Sequence, residues 1–444
     1  MSEHRSPKFS AAEVIQRGRT DGYWVRAFQF SAEDEMPGVL ASGLNSGKVD
    51  FLDNPLATKD SGGPKEWKTY LVAPDPEHKD PNFPKHQDPK HQDPKHQDLK
   101  DQNFHTPVAV IGMDIRKNGL LDVVICHAYG ATMIDSSDPG GFIYWYENPG
   151  RGRLKENKPW KRHYIGQWPV MHRLQTGHFT QRSFSELIAA SAIHGPKDKT
   201  TPIPILRFQV PSDPMTAKEW PRDVVDDQNF TVIHELAAKK LDGQSGLDSL
   251  LVSSREGVTR LYYEDGRWKK ELIGRGEPKR EDQKDDSITP GSGDHWGTGS
   301  ADIGRVGSDR YAYVATIDPF HSTKVCVYTK YDDPTHRGSK WKRHVLDTYG
   351  TPTQQKHWGD GPGHHVRCAD IDGDGVDEIL VSMFGPLDRN DDGSLNAVGT
   401  PHLSCSCTND TKSCNDDDAN WEPDRISRTK TRKETIPTRY GVHS

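Results

Sequence analysis

Residues 246–273 open on Gly246-Leu-Asp-Ser-Leu-Leu-Val-Ser253 and close on Trp268-Lys-Lys-Glu-Leu-Ile273. The first stretch is a turn glycine, an acidic residue and an apolar run of strand length. The second is a tryptophan followed by polar and then β-favouring residues. Both recur along the chain. The first signal returns as Gly119-Leu-Leu-Asp-Val-Val-Ile125 and Gly375-Val-Asp-Glu-Ile-Leu-Val-Ser382, and the second begins at Trp67, Trp160, Trp220 and Trp341. Helical periodicity is nearly absent, and only Ala11 to Gly18 reads as a short helix. Internal units of about 50 residues built from short strands are what a radial β-repeat looks like in sequence, so an all-β fold of β-propeller type is expected. The unequal spacing of the tryptophans calls for insertions between strands.

Composition agrees. The chain has 444 residues with 32% hydrophobic and 28% charged content, and its 40 glycines and 31 prolines imply many turns. A net charge of −7 argues against general nucleic-acid binding, which relies on Lys and Arg neutralising phosphates. No apolar run is long enough to span a membrane, and Met1 to Val14 lacks a secretory apolar stretch; an intracellular location (cytoplasmic or otherwise) without membrane association is therefore expected. Cys126, Cys326 and Cys368 stand singly in apolar runs and read as buried structural thiols. Cys405, Cys407 and Cys414 cluster in a polar stretch with no frame for a metal or disulfide.

Two segments break the pattern. Pro74 to Phe104 contains PKHQD three times, from Pro84 to Asp98, with almost nothing apolar to bury, and reads as a disordered insertion. After Met383 the strand pattern gives way to a polar composition. The expected organisation is an N-terminal extension over 1–18, the β-propeller over 19–386 with its insertion at 74–104, and a disordered tail over 387–444.

Candidate chemistry rests on histidines. His172, His234 and His364 each stand six residues before a turn position, at His178, Lys240 and Asp370. Equivalent positions of a radial repeat face one axis, and three converging imidazoles suit a transition metal. The plainer alternative is that each satisfies a hydrogen bond inside its own unit. His321 lies in a turn that could reach over the channel mouth. His295 and Trp296 occupy the corresponding inner segment of another unit and are candidate substrate contacts. Asp370-Ile-Asp372-Gly-Asp374-Gly-Val-Asp377 places carboxylates at alternating positions with turn glycines, the pattern that gathers oxygens around Ca2+ or Mg2+ in a structural loop.

Gly22-Tyr-Trp-Val-Arg-Ala-Phe28, Met171-His-Arg-Leu-Gln-Thr-Gly-His-Phe179, Trp220-Pro-Arg-Asp-Val-Val225, Val258 to Glu264, Phe320-His321, Val327-Tyr-Thr-Lys330, Arg343-His-Val-Leu-Asp347 and Cys368-Ala-Asp-Ile-Asp-Gly-Asp-Gly375 occur in that order. Together they resemble the propeller of the fungal aldos-2-ulose dehydratase/isomerase family, from about Gly22 to Gly385. The resemblance implies a seven-bladed propeller and a zinc-dependent dehydration of keto-sugars such as 1,5-anhydro-D-fructose or glucosone, within fungal secondary metabolism. It implies His234, His321 and His364 as zinc ligands, His172 as acid/base, a keto-sugar as the small-molecule partner and a possible homodimer. The chain departs from the family in lacking cupin domains and a closing blade, so the isomerase half is expected to be absent and the ring incomplete. The competing expectation is a non-catalytic propeller that binds carbohydrate or protein and is stabilised by its cation loop.

Overall fold

A computed structural model describes residues 23–44, 46–57, 66–74, 104–129, 140–195, 198–241, 246–283, 296–320, 322, 324–332, 339–348, 363–370, 373–383 and 402–406. Six antiparallel meanders account for nearly all of them. The first holds β1 (Trp24–Phe28), β2 (Gly38–Ser42), β3 (Val49–Asp53) and β4 (Lys68–Ala73), and the second β5 (Ala109–Met113), β6 (Asp122–His127), β7 (Phe142–Tyr146) and β8 (Arg162–Gln167). The third comprises β9 (Met171–Gly177), β10 (Glu186–Ser191), β11 (Ile205–Phe208) and β12 (Arg222–Asp226), and the fourth β13 (Ile233–Lys240), β14 (Asp248–Ser254), β15 (Gly257–Glu264) and β16 (Arg267–Gly274). The fifth is built from β17 (Ser300–Val306), β18 (Asp309–Asp318), β19 (Lys324–Asp332) and β20 (Ser339–Thr348). The sixth has three strands, β21 (Gly363–Ala369), β22 (Glu378–Met383) and β23 (His402–Ser406). One four-residue helix, Arg151–Leu154, interrupts the β pattern.

The two sequence signals land where a repeating meander needs them. The strands that follow Trp67, Trp160 and Trp220, and those that contain Trp268 and Trp341, are the last strands of their sheets, and the turn-glycine signals lead into the second strands β6, β14 and β22. Successive side chains of a strand point to opposite faces, and here both faces are covered. On β10, Leu187 and Ala189 pack toward the second sheet, whereas Ile188 and Ala190 pack toward the fourth. On β14, Leu250 and Val252 face the third sheet and Leu251 the fifth. The core is therefore a series of apolar layers between neighbouring sheets, from Trp24 and Phe51 of the first to Val366 and Val381 of the sixth. The first strands of consecutive sheets lie side by side, β1 with β5, β5 with β9, β9 with β13, β13 with β17 and β17 with β21.

Close approach between sheets dictates one glycine. Gly274, at the end of β16, lies beneath the Tyr328 ring of β19; a Cβ there would stand 2.0 Å from Tyr328 Cε1. The phenol in turn accepts the Gly276 N–H at 3.0 Å.

Six sheets are present among the described residues, against the seven implied by the resemblance. The strand at His402–Ser406 falls inside the stretch read as a polar tail and pairs with β22 from Ile379↔Ser406 to Met383↔His402. Residues 1–18, the PKHQD repeats, Cys407 and Cys414 lie outside the described residues. Cys126, Cys326 and Cys368 are buried free thiols.

Candidate active site at the meeting of the inner strands

The three aligned histidines share a backbone device. On β9, Arg173 pairs with Ala190 and Met171 with Ser191, so His172 is an extra residue in the ladder. On β13, Ile233 pairs with Ser254 and Glu235 with Ser253, which makes His234 the extra residue. On β21, Gly363 pairs with Met383 and His365 with Ser382, and His364 is skipped in the same way. A β-bulge re-aims the side chain it carries and bends the strand. Repeated at one register on three inner strands, it sends three imidazoles to one place. The ring centroids of His172 and His234 are 6.0 Å apart, and those of His234 and His364 are 5.4 Å apart.

Aromatic rings wall this cluster. Tyr129 stacks on His172 at 4.7 Å, Phe320 stacks on His234 at 5.4 Å, and Tyr23 meets His364 edge-on at 6.4 Å. Two of the imidazoles have a defined hydrogen-bond polarity. His234 Nδ1 donates to the Gly299 carbonyl at 2.6 Å, which leaves the ring lone pair on Nε2. Arg173 Nη1 donates to His172 Nε2 at 2.7 Å; since a guanidinium can only donate, the neutral His172 ring carries its proton on Nδ1. Burial pushes the Tyr129 phenol up, so it stays protonated beside His172.

The residues that follow the three histidines form a second tier. Arg173 Nε lies 3.6 Å from Glu235 Oε2, and His365 Nδ1 lies 2.8 Å from the same oxygen, a close ion-pair approach that does not close as a hydrogen bond. Arg173 and Glu235 are each 1% exposed. Trp24 caps the tier, with the Arg173 guanidinium 5.1 Å from its ring and His365 edge-on at 5.3 Å. Burial alone would raise the Glu235 carboxyl; the opposing charges of His365 and Arg173 outweigh it and hold the group well below the usual carboxylate range. Removing either member of such a pair leaves an uncompensated buried charge, at a cost of about 3–5 kcal/mol. The sequence reading passed over Arg173, Glu235 and His365, although the signal was available: each immediately follows one of the aligned histidines.

A metal fits part of this arrangement. With zinc–nitrogen bonds of about 2.0–2.1 Å, two imidazoles on one tetrahedral ion stand roughly 5 Å apart between ring centroids. The 5.4 Å between His234 and His364 matches that span, and a ring whose Nδ1 donates to a carbonyl is the usual partner of a metal at Nε2. Among the described residues, no group of three or more His, Cys, Asp or Glu side chains is arranged to hold a metal ion. His321, the third ligand implied by the resemblance, lies outside the described residues and adjoins Phe320, which covers His234.

The other candidate residues sit elsewhere. Trp296 packs beneath two cations, Arg255 at 4.5 Å and Lys279 at 4.8 Å, while His295 is outside the described residues. In the acidic loop, Asp370 accepts the N–H groups of Gly373 at 2.7 Å and Gly375 at 3.1 Å, and Asp374 accepts that of Val376 at 2.7 Å. Arg305 from β17 reaches Asp370 at 2.6 Å and Asp377 at 3.5 Å, so a guanidinium already engages carboxylates read as cation ligands. Asp372 is outside the described residues. The loop at Asp114–Asp122 is built alike. There Asp114 accepts the Asn118 and Gly119 N–H groups, and Arg116 pairs with Asp122 at 2.8 Å.

Antiparallel meanders stacked through apolar layers, with their first strands together and functional side chains on those strands, define a β-propeller. Residues 140–331 match the family described as the aldos-2-ulose dehydratase beta-propeller domain. The chain is 36% identical over 401 residues to aldos-2-ulose dehydratase of Phanerodontia chrysosporium, an alignment covering 87% of this chain and 39% of that protein. The chain thus spans well under half the length of this relative. Among solved structures, BBS1N in complex with ARL6DN is similar at 11% identity over 82% of this chain and 79% of that one, with a TM-score of 0.37, which carries no argument.

Proposed function

We propose that the chain is the dehydratase part of a carbohydrate hydro-lyase, eliminating water from a 2-keto sugar of the 1,5-anhydro-D-fructose or glucosone type. The observation that supports it is the placing of His172, His234 and His364 on matching bulges, within 6.0 Å of one another between neighbouring ring centroids. A scaffold gains nothing from three strand irregularities at one register.

His234 and His364, with His321, would hold zinc, which supplies Lewis-acid polarisation of the 2-keto oxygen and so acidifies the C3 proton. His172 stands beside this pair with its lone pair on Nε2, the form able to accept that proton. The Arg173 guanidinium occupies the lone pair, so an electron-rich substrate oxygen must draw it aside as the sugar enters. The same imidazole then returns the proton to the departing C4 hydroxide, completing the loss of water. Tyr129 and Phe320 cover the outer faces of His172 and His234 and keep bulk water from both rings. The calcium or magnesium loop at Asp370–Asp377 is a separate proposal, and binding there must displace Arg305.

Incubation of the protein with 1,5-anhydro-D-fructose, with and without added zinc and with and without a chelator, tests the reading. An enone absorbance that grows with zinc and stops with chelator supports it. Zinc-loaded protein that leaves the sugar unchanged would return the chain to a binding propeller.

A further inference from the structure

Each bulge brings two consecutive side chains toward the other inner strands, five of the six buried and His365 half-buried. The first residues of the three pairs are His172, His234 and His364; the second are Arg173, Glu235 and His365. Glu235 is the only acid in the lower three, and both of its neighbours approach the same oxygen, Oε2. Its other oxygen, Oε1, accepts the Leu236 N–H at 3.2 Å, which fixes the carboxylate to its own strand. Arg173 Nε thus faces this carboxylate at ion-pair distance, 3.6 Å, while Nη1 donates to His172 Nε2 at 2.7 Å. The line Glu235, Arg173, His172 joins the acid of one blade to the imidazole of the next. Hydrophobic residues of equal volume commonly stabilise an interior as well as a buried ion pair does. What ions add at this place is direction: the charge of Glu235 draws one edge of the planar guanidinium toward it and so turns the other edge to His172.

We propose that Glu235 is the positioning residue of the axial site, holding Arg173 so that His172 is kept in the tautomer with its lone pair on Nε2. Glu235 does not touch the reacting atoms. The catalytic consequence rests on the dehydratase reading, whereas the effect on the His172 ring does not.

The test is imidazole 15N–13C NMR of zinc-free full-length protein, with His172 assigned by its absence in His172→Gln. Wild type should show His172 protonated at Nδ1. Glu235→Gln should show averaging of the two ring nitrogens, and Glu235→Asp should retain most of the wild-type pattern. Turnover of 1,5-anhydro-D-fructose should fall at least tenfold in kcat in Glu235→Gln, with KM changed less than threefold, and recover in part in Glu235→Asp. A wild-type His172 protonated at Nε2, or identical His172 shifts in wild type and Glu235→Gln, overturns the proposal. Should Glu235→Gln fail to fold, the wild-type spectrum and Arg173→Met decide, since a side chain without a donor must produce the same averaging. If no variant turns over the sugar but the NMR results hold, the dehydratase reading fails and the positioning role stands.

Discussion

Asp248 and His178 clasp two blades together: Asp248 Oδ2 accepts the His178 N–H at 2.6 Å, and the His178 carbonyl accepts the Asp248 N–H at 2.8 Å. Asp377 and Arg305 repeat the arrangement one pair of sheets away, at 3.0 Å and 2.9 Å. In these two repeats the acidic residue of the turn-glycine signal is thus the staple between the end of one inner strand and the next sheet, whereas Asp122 accepts from Arg116 and the Asn148 N–H. Asp248→Ala orphans the His178 N–H and should cost about 1–3 kcal/mol in urea unfolding, while Asp248→Asn, which keeps an acceptor oxygen, should cost less. Equal losses in the two variants would show that the clasp does not depend on this hydrogen bond.

Gly274→Ala places a methyl against the face of Tyr328 between two packed sheets. Overpacking of this kind costs about 1–3 kcal/mol. In a Tyr328→Ala background the same change should be nearly silent, because the ring that obstructs the methyl is gone. Additive losses in a double-mutant cycle would mean that Gly274 is required for another reason.

Under the proposed function, the histidines divide by role. Zinc measured by mass spectrometry after gel filtration should fall from about one equivalent to near none in His234→Ala and His364→Ala, since an ion left with two of its three protein ligands is held too weakly. His172→Ala should retain zinc and lose sugar dehydration by about 10²–10⁴-fold, the usual scale for an acid/base group. Zinc retained in both His234→Ala and His364→Ala would place the ion elsewhere.

Acid sensitivity should appear at the third sheet. Arg207 hydrogen-bonds Asp223 and holds its carboxyl below the ordinary value of 3.8. A lowered carboxylate adds stability above its unfolded pKa and loses it as pH falls through the folded one. Asp223→Asn should accordingly unfold at lower urea than wild type at pH 7, with the gap closing as the pH is lowered below 3.8. A gap independent of pH would assign the loss to packing.

The repeat was legible in the sequence because turn and strand signals are local. The tryptophan marker found the last strand of five sheets, and the Gly-x-Asp type of signal found the second strand of three. Register was partly legible: counting six residues back from a turn picked out His172, His234 and His364 without any knowledge of their ladders. The partners of those histidines were not legible. Tyr129 reaches His172 across sheets, and Phe320 reaches His234 from the β18–β19 connection of another meander. The Asp370 loop was read from its own residues alone. Arg305 enters from the neighbouring blade, a contact that no local pattern announces.

The sequence by itself determined the apolar runs that bury both faces of the second strands, the turns that fold strands into meanders, and which three imidazoles are equivalent. These follow from φ/ψ preference and a side-chain period of two. Only the tertiary structure decided that a bulge turns each imidazole inward, that Arg173 fixes the proton on His172, and that Glu235 gathers Arg173 and His365 beneath them. Those facts depend on distances between strands far apart in the chain, which are set by how the apolar layers between blades close up rather than by any single segment.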